Sequence, residues 1–380
     1  MMFVALVSVV ALAAWIYLLA FRGMFWRMRE RDDGDIPFSG GAWPSVTAIV
    51  PARDEAAAIA QSLASLLAQD YPGDFRIVLV DDQSSDGTAE TAQVLDNSGR
   101  LEVLRGAEPP AGWTGKLWAL KQGTVHAAVR QPDYFWFTDA DIAHTHDNLR
   151  QLVGRAQRDR LVMVSLMAKL RCESFAERLL IPAYVFFFAM LFPFSRVNRP
   201  KDSMAAAAGG CILLEREALE RAGGIDSIRR EIIDDCALGR RMKMQGPIWL
   251  GLTERAVSLR PYPQIRDIGQ MVARSAYAQL GYSPLLLAGT LAGMLAIYAA
   301  PPFIALFGTD AARVAAGLAW CCMAVAFQPM LIFYRRSAFW GLTLPLIGIL
   351  YAAFTVDSAI QYWRGRGGMW KGRIQTMTRA

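Results

Sequence analysis

The chain has 380 residues, 54% of them hydrophobic, and a mean hydropathy of +0.23, which excludes an ordinary soluble enzyme, while its charged middle excludes a pure transporter. The net charge of +6 comes largely from arginines beside apolar segments, a pattern that suits anionic lipid headgroups and gives no support to a nucleic-acid partner. The five cysteines, Cys172, Cys211, Cys236, Cys321 and Cys322, have neither metal-ligand nor disulfide spacing and read as small residues in a reducing compartment.

Residues 3–21 form an uncharged apolar run long enough to cross a bilayer, so 1–22 is expected to be an N-terminal transmembrane anchor. Arg22, Arg27, Arg29 and Arg31 come directly after it; a cleavable leader would carry its charge before the apolar core. By the positive-inside rule these arginines hold the next part of the chain in the cytoplasm, at a bacterial-type inner membrane. After a short polar linker, residues 44–263 alternate between strand and helix in the manner of a mostly parallel α/β sheet. Strands are expected at 46–50, 76–80, 101–104, 134–138 and 162–170, and helices at 55–69, from 84–88 towards 95, and at 116–130.

Residues 179–194 are almost wholly apolar, with Pro182 and Pro193 near the ends. As a span they would put Asp139 and Asp234 on opposite sides of the membrane, and the segment is short for one. It is expected as a helix or hairpin at the interface, able to receive a lipid; a buried core helix is the alternative. An amphipathic connector at 264–282 leads to C-terminal membrane segments at 283–363, with apolar stretches near 284–307, 314–334 and 338–356, and a basic tail at 364–380. Three full spans would place that tail outside, against the positive-inside rule, so one stretch is expected to be re-entrant; Pro301-Pro302 point to the first.

Pairs of aspartates punctuate the α/β region. Asp81-Asp82 and Asp139-Ala140-Asp141 each follow an apolar strand, and carboxylates at parallel strand ends converge on the crevice where such sheets bind ligands. Crowded acids need a shared cation or proton. Asp139 and Asp141, two residues apart, suit Mg²⁺ or Mn²⁺, hard ions that bridge to phosphates; His144 and His146 are near enough to assist, although such histidines are more often merely exposed. Pro51-Ala52-Arg53-Asp54-Glu55 reads either as a donor-nucleotide loop or as an N-cap on the next helix. Asp81-Asp82, before a turn with Gly87, can accept hydrogen bonds from a ribose or base. Asp234-Asp235 opens a helical pattern, where the pair can cap the helix or supply a general base; Arg240 and Arg241 come next as candidates for phosphate or anionic lipid. Gly209-Gly210 either admits a close approach of an acceptor to the backbone or forms a turn before a strand.

These motifs together resemble a family 2 glycosyltransferase of the GT-A fold. The run from Pro51 to Thr88, the Gly112-Trp113-Thr114-Gly115-Lys116 loop, Asp139-Ala140-Asp141, Gly209-Gly210-Cys211 and Asp234 to Gly239 carry the likeness across the α/β region. With apolar segments at both ends, the whole chain resembles the hopene-associated subgroup and, more distantly, ceramide glucosyltransferases. The resemblance implies an inverting, membrane-bound hexosyltransferase using a nucleotide-diphosphate sugar, UDP-linked, and a lipid hydroxyl acceptor, a hopanoid. Asp54 and Asp82 would contact the nucleoside within a donor set of Pro51, Arg53, Asp54, Glu55, Asp81, Asp82, Lys116 and Asp139. Asp141 and Asp139 would hold the metal, Asp235 would be the base with Asp234 beside it, and Gly209, Gly210, Arg240 and Arg274 would lie on the acceptor side. The family's Gln-x-x-Arg-Trp motif is altered here to Gln270-Met271-Val272-Ala273-Arg274-Ser275, which weighs against a polysaccharide synthase. Transfer to polyprenyl phosphate, or a silent membrane interaction protein, are the competing readings.

Overall fold

The structure, a computed structural model, describes residues 2–38, 40–95, 98–368 and 371; most of the expected basic tail, including Arg373 and Arg379, lies outside the described residues. Among the described residues eight strands form one sheet: β1 (Val46–Ala52), β2 (Phe75–Asp81), β3 (Leu101–Arg105), β4 (Tyr134–Thr138), β5 (Ile142–His144), β6 (Met163–Lys169), β7 (Cys211–Glu215) and β8 (Ile248–Ser258). Their order is β3-β2-β1-β4-β7-β6-β8-β5. The half containing β3, β2, β1 and β4 is parallel, and β7 enters antiparallel between β4 and β6.

Every residue of β1 and β4 is buried, which is why these strands read as largely apolar runs: helices cover both faces. The Ala56–Leu67 helix turns Ile59, Ser62, Leu63 and Leu66 inward at helical spacing. Opposite it, Gly123 of the Gly115–Ala128 helix presses so closely on the sheet that an added Cβ would stand 2.6 Å from Ile49. β5 and β8 have no clear signature in the sequence. β5 is three residues long, and β8 mixes exposed Glu254 with buried apolar residues because it lies near the sheet edge. The amphipathic Asn148–Asp159 helix, also unforeseen, buries Leu149, Leu152, Val153 and Ala156.

The stretch expected as a linker is fastened to the sheet. Asp32 N donates to Leu252 O and Leu252 N to Glu30 O, both at 2.8 Å, while Arg255 meets Asp32 and Asp147. The α/β region therefore sits directly on the apolar helices.

Among the described residues five helices are long and apolar enough to cross a membrane, including Met2–Phe21, Pro284–Phe307 and Asp310–Phe333. Met2–Phe21 packs along this bundle; Trp15 donates its indole N–H to Ile297 O at 2.9 Å and stands edge-on to Tyr298. Phe175–Val197 also qualifies by length and composition, yet both ends return to the α/β region. Glu177 accepts from Tyr262 N at 2.7 Å, and Asn198, just beyond the helix, pairs with Leu250. The helix does not separate the acids, since Asp139 and Asp234 both reach Lys116.

The chain does not reverse at Pro301-Pro302, the place the prolines suggest. Pro284–Met294 continues through a π-turn at Leu295–Ala299 into Ala300–Phe307, with the prolines in the first turn of the last piece. It is the third stretch that doubles back. Gln328 Nε2 donates to Ala338 O and Trp320 Nε1 to Leu342 O, each at 3.2 Å, so the chain retraces the helix it has just left. That descent covers roughly 20 Å at 1.5 Å per residue. Leu344–Trp363 then climbs again: Tyr351 donates to Leu180 O at 3.0 Å, and Ser358 Oγ accepts from Tyr277 N at 3.0 Å.

Candidate active site

The end of β4 is pinned before it presents any acid. Thr138 Oγ1 donates to Gly210 O at 2.9 Å and meets His144 Nε2 at 2.9 Å, joining β4 to β7 and β5. Asp139 is the next residue. Facing it, Lys116 stands in the first turn of the Gly115–Ala128 helix, whose N-cap is Thr114. A cation there opposes the helix dipole. Two carboxylates offset this: Lys116 Nζ lies 2.7 Å from Asp139 Oδ1 and 3.6 Å from Asp234 Oδ2. Burial alone would lower the Lys116 pKa, but Asp139 and Asp234 hold it above its ordinary value. Burial, then Asp141 and Asp234, push the Asp139 carboxyl up against the pull of Lys116.

Asp234 and Asp235 open the Asp234–Lys243 helix, where the dipole favours them. Asp235 is held by two backbone donors, Gly209 N to Oδ2 at 3.0 Å and Cys236 N to Oδ1 at 2.7 Å. Burial and the neighbouring Asp234 nevertheless raise it to about 6. The carboxylate is thus oriented, ionised at neutral pH, and more basic than an ordinary aspartate. Gly209 keeps the space between the two charged groups clear. A Cβ there would stand 3.4 Å from Lys116 Nζ and 3.5 Å from Asp235 Oδ2.

On the other side of the cleft, the ends of β1 and β2 carry the acids expected to meet a nucleoside. Asp54 adopts φ 48° and accepts from Ser85 N at 2.9 Å. It stitches the two loops together and caps nothing. The cap of the Ala56–Leu67 helix is supplied instead by Asp86, whose Oδ2 accepts from Ala56 N at 2.9 Å. Asp81 and Asp82 are buried, and Arg53 covers Asp82, donating to its carbonyl oxygen at 2.6 Å. Pro51 lines the cleft floor next to Lys116 and Asp139.

Glu55 and Asp141 meet over one guanidinium. Arg260, just beyond β8, places Nε 2.7 Å from Asp141 and Nη2 2.5 Å from Glu55. Lys371 adds a second cation, 2.9 Å from Glu55, and donates to Asp54 O at 2.8 Å. Neither residue has a sequence signal, because each arrives from far along the chain. Tyr184 and Phe188, from the apolar segment expected to receive a lipid, line the cleft from the Phe175–Leu191 helix.

Two expectations fail. Arg240 is exposed, and at 3.6 residues per turn it lies about 140° round the helix from Asp235, away from the cleft. His144 is buried between Thr138, Asn148 and the edge of Trp136, and burial lowers its pKa to about 3. It is a neutral core residue, and His146 is exposed on a turn outside the cleft. Arg274 does reach the cleft, together with Gly209, Gly210, Asp234 and Asp235.

Among the described residues no three His, Cys, Asp or Glu side chains stand close enough to cage a cation. Asp139 and Asp141 still offer two carboxylates, and Mg²⁺ or Mn²⁺ commonly takes one or two with phosphate and water completing the shell. The crowding that lifts Asp139 is what a cation relieves. The donor set therefore fits a divalent ion bound together with a phosphorylated ligand.

Residues 47–223 match the family model described as Glycosyl transferase family 2. The 4,4'-diaponeurosporenoate glycosyltransferase of Staphylococcus aureus strain bovine RF122 / ET3-1 is 28% identical over 197 residues, covering 51% of this chain and 50% of that protein. Its namesake from strain USA300 is 27% identical over the same length. The chain thus spans about half the length of the curated relatives it matches. The mannosyltransferase PcManGT from Pyrobaculum calidifontis, solved in complex with GDP-Man and Mn²⁺, aligns with TM-score 0.56 at 21% identity, over 93% of this chain and 99% of that one. That likeness is one of fold: a mixed sheet with helices, of the GT-A type.

Proposed function

We propose that the family 2 glycosyltransferase domain at residues 47–223 belongs to an enzyme that moves a sugar, with inversion, from a nucleotide-diphosphate donor to a lipid hydroxyl. The observation that carries this reading is the cleft in which Lys116 joins Asp139 to Asp234 while Asp235, oriented by two backbone N–H groups, stands beside them. A UDP-linked sugar is the proposed donor, with its base and ribose at Asp54 and the loop above Asp82. Its diphosphate would lie towards Asp139, Asp141 and Lys116. A resident Mg²⁺ or Mn²⁺ at Asp141 and Asp139 would supply charge neutralisation to the departing diphosphate. Lys116 adds a fixed ammonium on the same side, already in place before reaction.

Asp235 takes the proton of the acceptor hydroxyl as its oxygen attacks the anomeric carbon from the face opposite the diphosphate. One displacement and one base give inversion without a covalent sugar–enzyme intermediate. The hopanoid class of acceptor is proposed from the sequence resemblance. The relatives, named for 4,4'-diaponeurosporenoate, support a lipid-like acceptor in general.

A bacterial inner-membrane location, with the catalytic domain in the cytoplasm, fits the apolar helices and the arginines at their ends. Arg22, Arg31, Arg335 and Arg336 all lie where those helices meet the catalytic domain. The test is the full chain in lipid nanodiscs, screened against nucleotide sugars with bacterial lipid extracts, with products identified by mass spectrometry. Transfer to a hydroxyl lipid that collapses in Asp235→Asn is expected. Transfer only to polyprenyl phosphate, unaffected by that substitution, would overturn the acceptor assignment.

A further inference from the structure

An apolar chamber of about 450 Å³ opens off the cleft at Asp235. Its walls come from Phe187, Phe188 and Leu191 on one helix, Met294 and Ile297 on another, and Tyr351 on the helix that doubles back. This is the size and character of a site for a largely buried apolar ligand. Leu191 is 45% exposed, so the chamber has a side opening among the exposed apolar faces of the helix bundle. Chamber and catalytic cleft share Tyr184, Phe188, Asp234, Asp235 and Arg274.

The charges at that shared mouth are unevenly used. Lys116 is taken up by Asp139 and Asp234, and Arg260 and Lys371 by Asp141 and Glu55. Arg274 alone stands exposed at the mouth with no hydrogen-bond or ion-pair partner for its side chain among the described residues. It is also the cation shared by the cleft and the chamber; Arg260 and Lys371 line only the donor side. A guanidinium placed between an apolar chamber and a reaction centre is suited to an oxyanion carried by the molecule that fills the chamber.

We infer that the chamber is the acceptor site and that it takes a bilayer lipid with a monoanionic head, the oxyanion on Arg274 and a neighbouring free hydroxyl at Asp235. The inference rests on the glycosyl-transfer reading of the cleft, and it replaces the uncharged hopanoid that the sequence resemblance implies with an anionic lipid hydroxyl. The tail lies in the chamber, having entered sideways past Leu191. A single charge matches the single unpaired guanidinium; a dianion would leave excess negative charge beside Asp234 and Asp235. In the transfer step the hydroxyl proton passes to Asp235, and the hydroxyl oxygen bonds to the anomeric carbon. The carbon–oxygen bond to the diphosphate breaks, and its electron pair leaves with the nucleoside diphosphate.

Gly293 allows the chamber to be filled directly. It lines the chamber, and a Cβ added there meets nothing within 4 Å. Full-length wild type, Arg274→Gln, Arg274→Lys and Gly293→Phe are placed in phosphatidylcholine nanodiscs doped with phosphatidylglycerol or with neutral diacylglycerol. Retained lipid is measured by mass spectrometry after detergent extraction, and donor binding by calorimetry. Wild type and Arg274→Lys should enrich phosphatidylglycerol over diacylglycerol. Arg274→Gln should lose roughly tenfold or more of that preference, and Gly293→Phe should retain neither lipid. Donor affinity should be equal in all four.

Equal retention of phosphatidylglycerol by all four proteins, or enrichment of the neutral lipid, would overturn the inference. So would a loss of donor affinity in Arg274→Gln, which would assign the guanidinium to the diphosphate. Failure of wild type to bind any nucleotide sugar is a separate result, against the glycosyl-transfer reading itself.

Discussion

At the scale of single residues, Asp235 is a carboxylate kept at a disadvantage. Burial and Asp234 raise it to about 6 although two N–H groups support the anion. An alcohol must lose its proton during attack, and a positioned base contributes about 10²–10⁴-fold. Asp235→Asn should therefore lower kcat by about that factor, with calorimetric donor affinity unchanged. The wild-type rate should fall as pH drops through about 6, where the base becomes protonated. Stability takes the opposite course. The folded pKa lies above the unfolded one, so the wild type loses stability as pH rises from near 4 through about 6. Asp235→Asn should raise the thermal midpoint at pH 7, and that gain should vanish at pH 3. A helix-capping role alone predicts the reverse, a midpoint lowered at pH 7.

The metal reading is tested at the same scale. EDTA should abolish transfer, and Mn²⁺ or Mg²⁺ should restore it. Asp141→Ala should lose Mn²⁺ binding, read by electron paramagnetic resonance, while the protein stays folded. Turnover sustained in EDTA would remove the assignment.

Elements matter here because several of them hold the acids in register. The Asp234–Lys243 helix rests on the Ala206–Ala207 backbone through Gly239, where an added Cβ would fall 2.8 Å from the Ala206 carbonyl carbon. Gly239→Ala must push that helix away, and Asp235 moves with it. Overpacking of this kind costs about 1–3 kcal/mol of stability, and misplacement by about 1 Å can cost about 10²-fold in rate. A measured kcat close to wild type would show that the helix accommodates the methyl. Elements with a strong local signature are legible in the sequence. β1, β2, β4 and β6 are mostly apolar, and the acids that end or follow β2 and β4 stand at the strand ends, as their positions in the sequence imply. The elements that stay hidden are defined by distant partners. β5 exists because it pairs with β8, more than a hundred residues away, and Arg260 enters the cleft only through that pairing. His144 shows the converse: its proximity to the acidic pair is real in sequence, but strand alternation turns its ring into the core.

The whole molecule places the catalytic sheet against one end of a helix bundle, and the third apolar stretch leaves and rejoins that same end. This reversal returns Lys371 to Glu55. With the native cysteines replaced, single cysteines at Arg221, Arg335 and Thr309 should divide cleanly on labelling of sealed vesicles. Arg221→Cys and Arg335→Cys should react from the cytoplasmic side and Thr309→Cys from the other. Leu342→Cys, at the foot of the descent, should resist impermeant reagents from either side. Reaction of Leu342→Cys from the side opposite Arg221→Cys would mean that the third stretch crosses completely.

Fastening of residues 30–32 to Leu252 has a consequence for synthesis. A chain emerges from the ribosome in order, at about 5–20 residues per second. On the proposed membrane reading, the first apolar helix would reach the bilayer well before β8 exists to receive the segment behind it. β6 likewise waits for β8 on one flank, although β7 can already join it to β4 on the other. Throughout that interval the nascent sheet has an open edge while its leading end is already tethered. Such a tether would confine the unfinished domain to the membrane surface, so its exposed strands would meet lipid headgroups and their own later segments before another chain in solution.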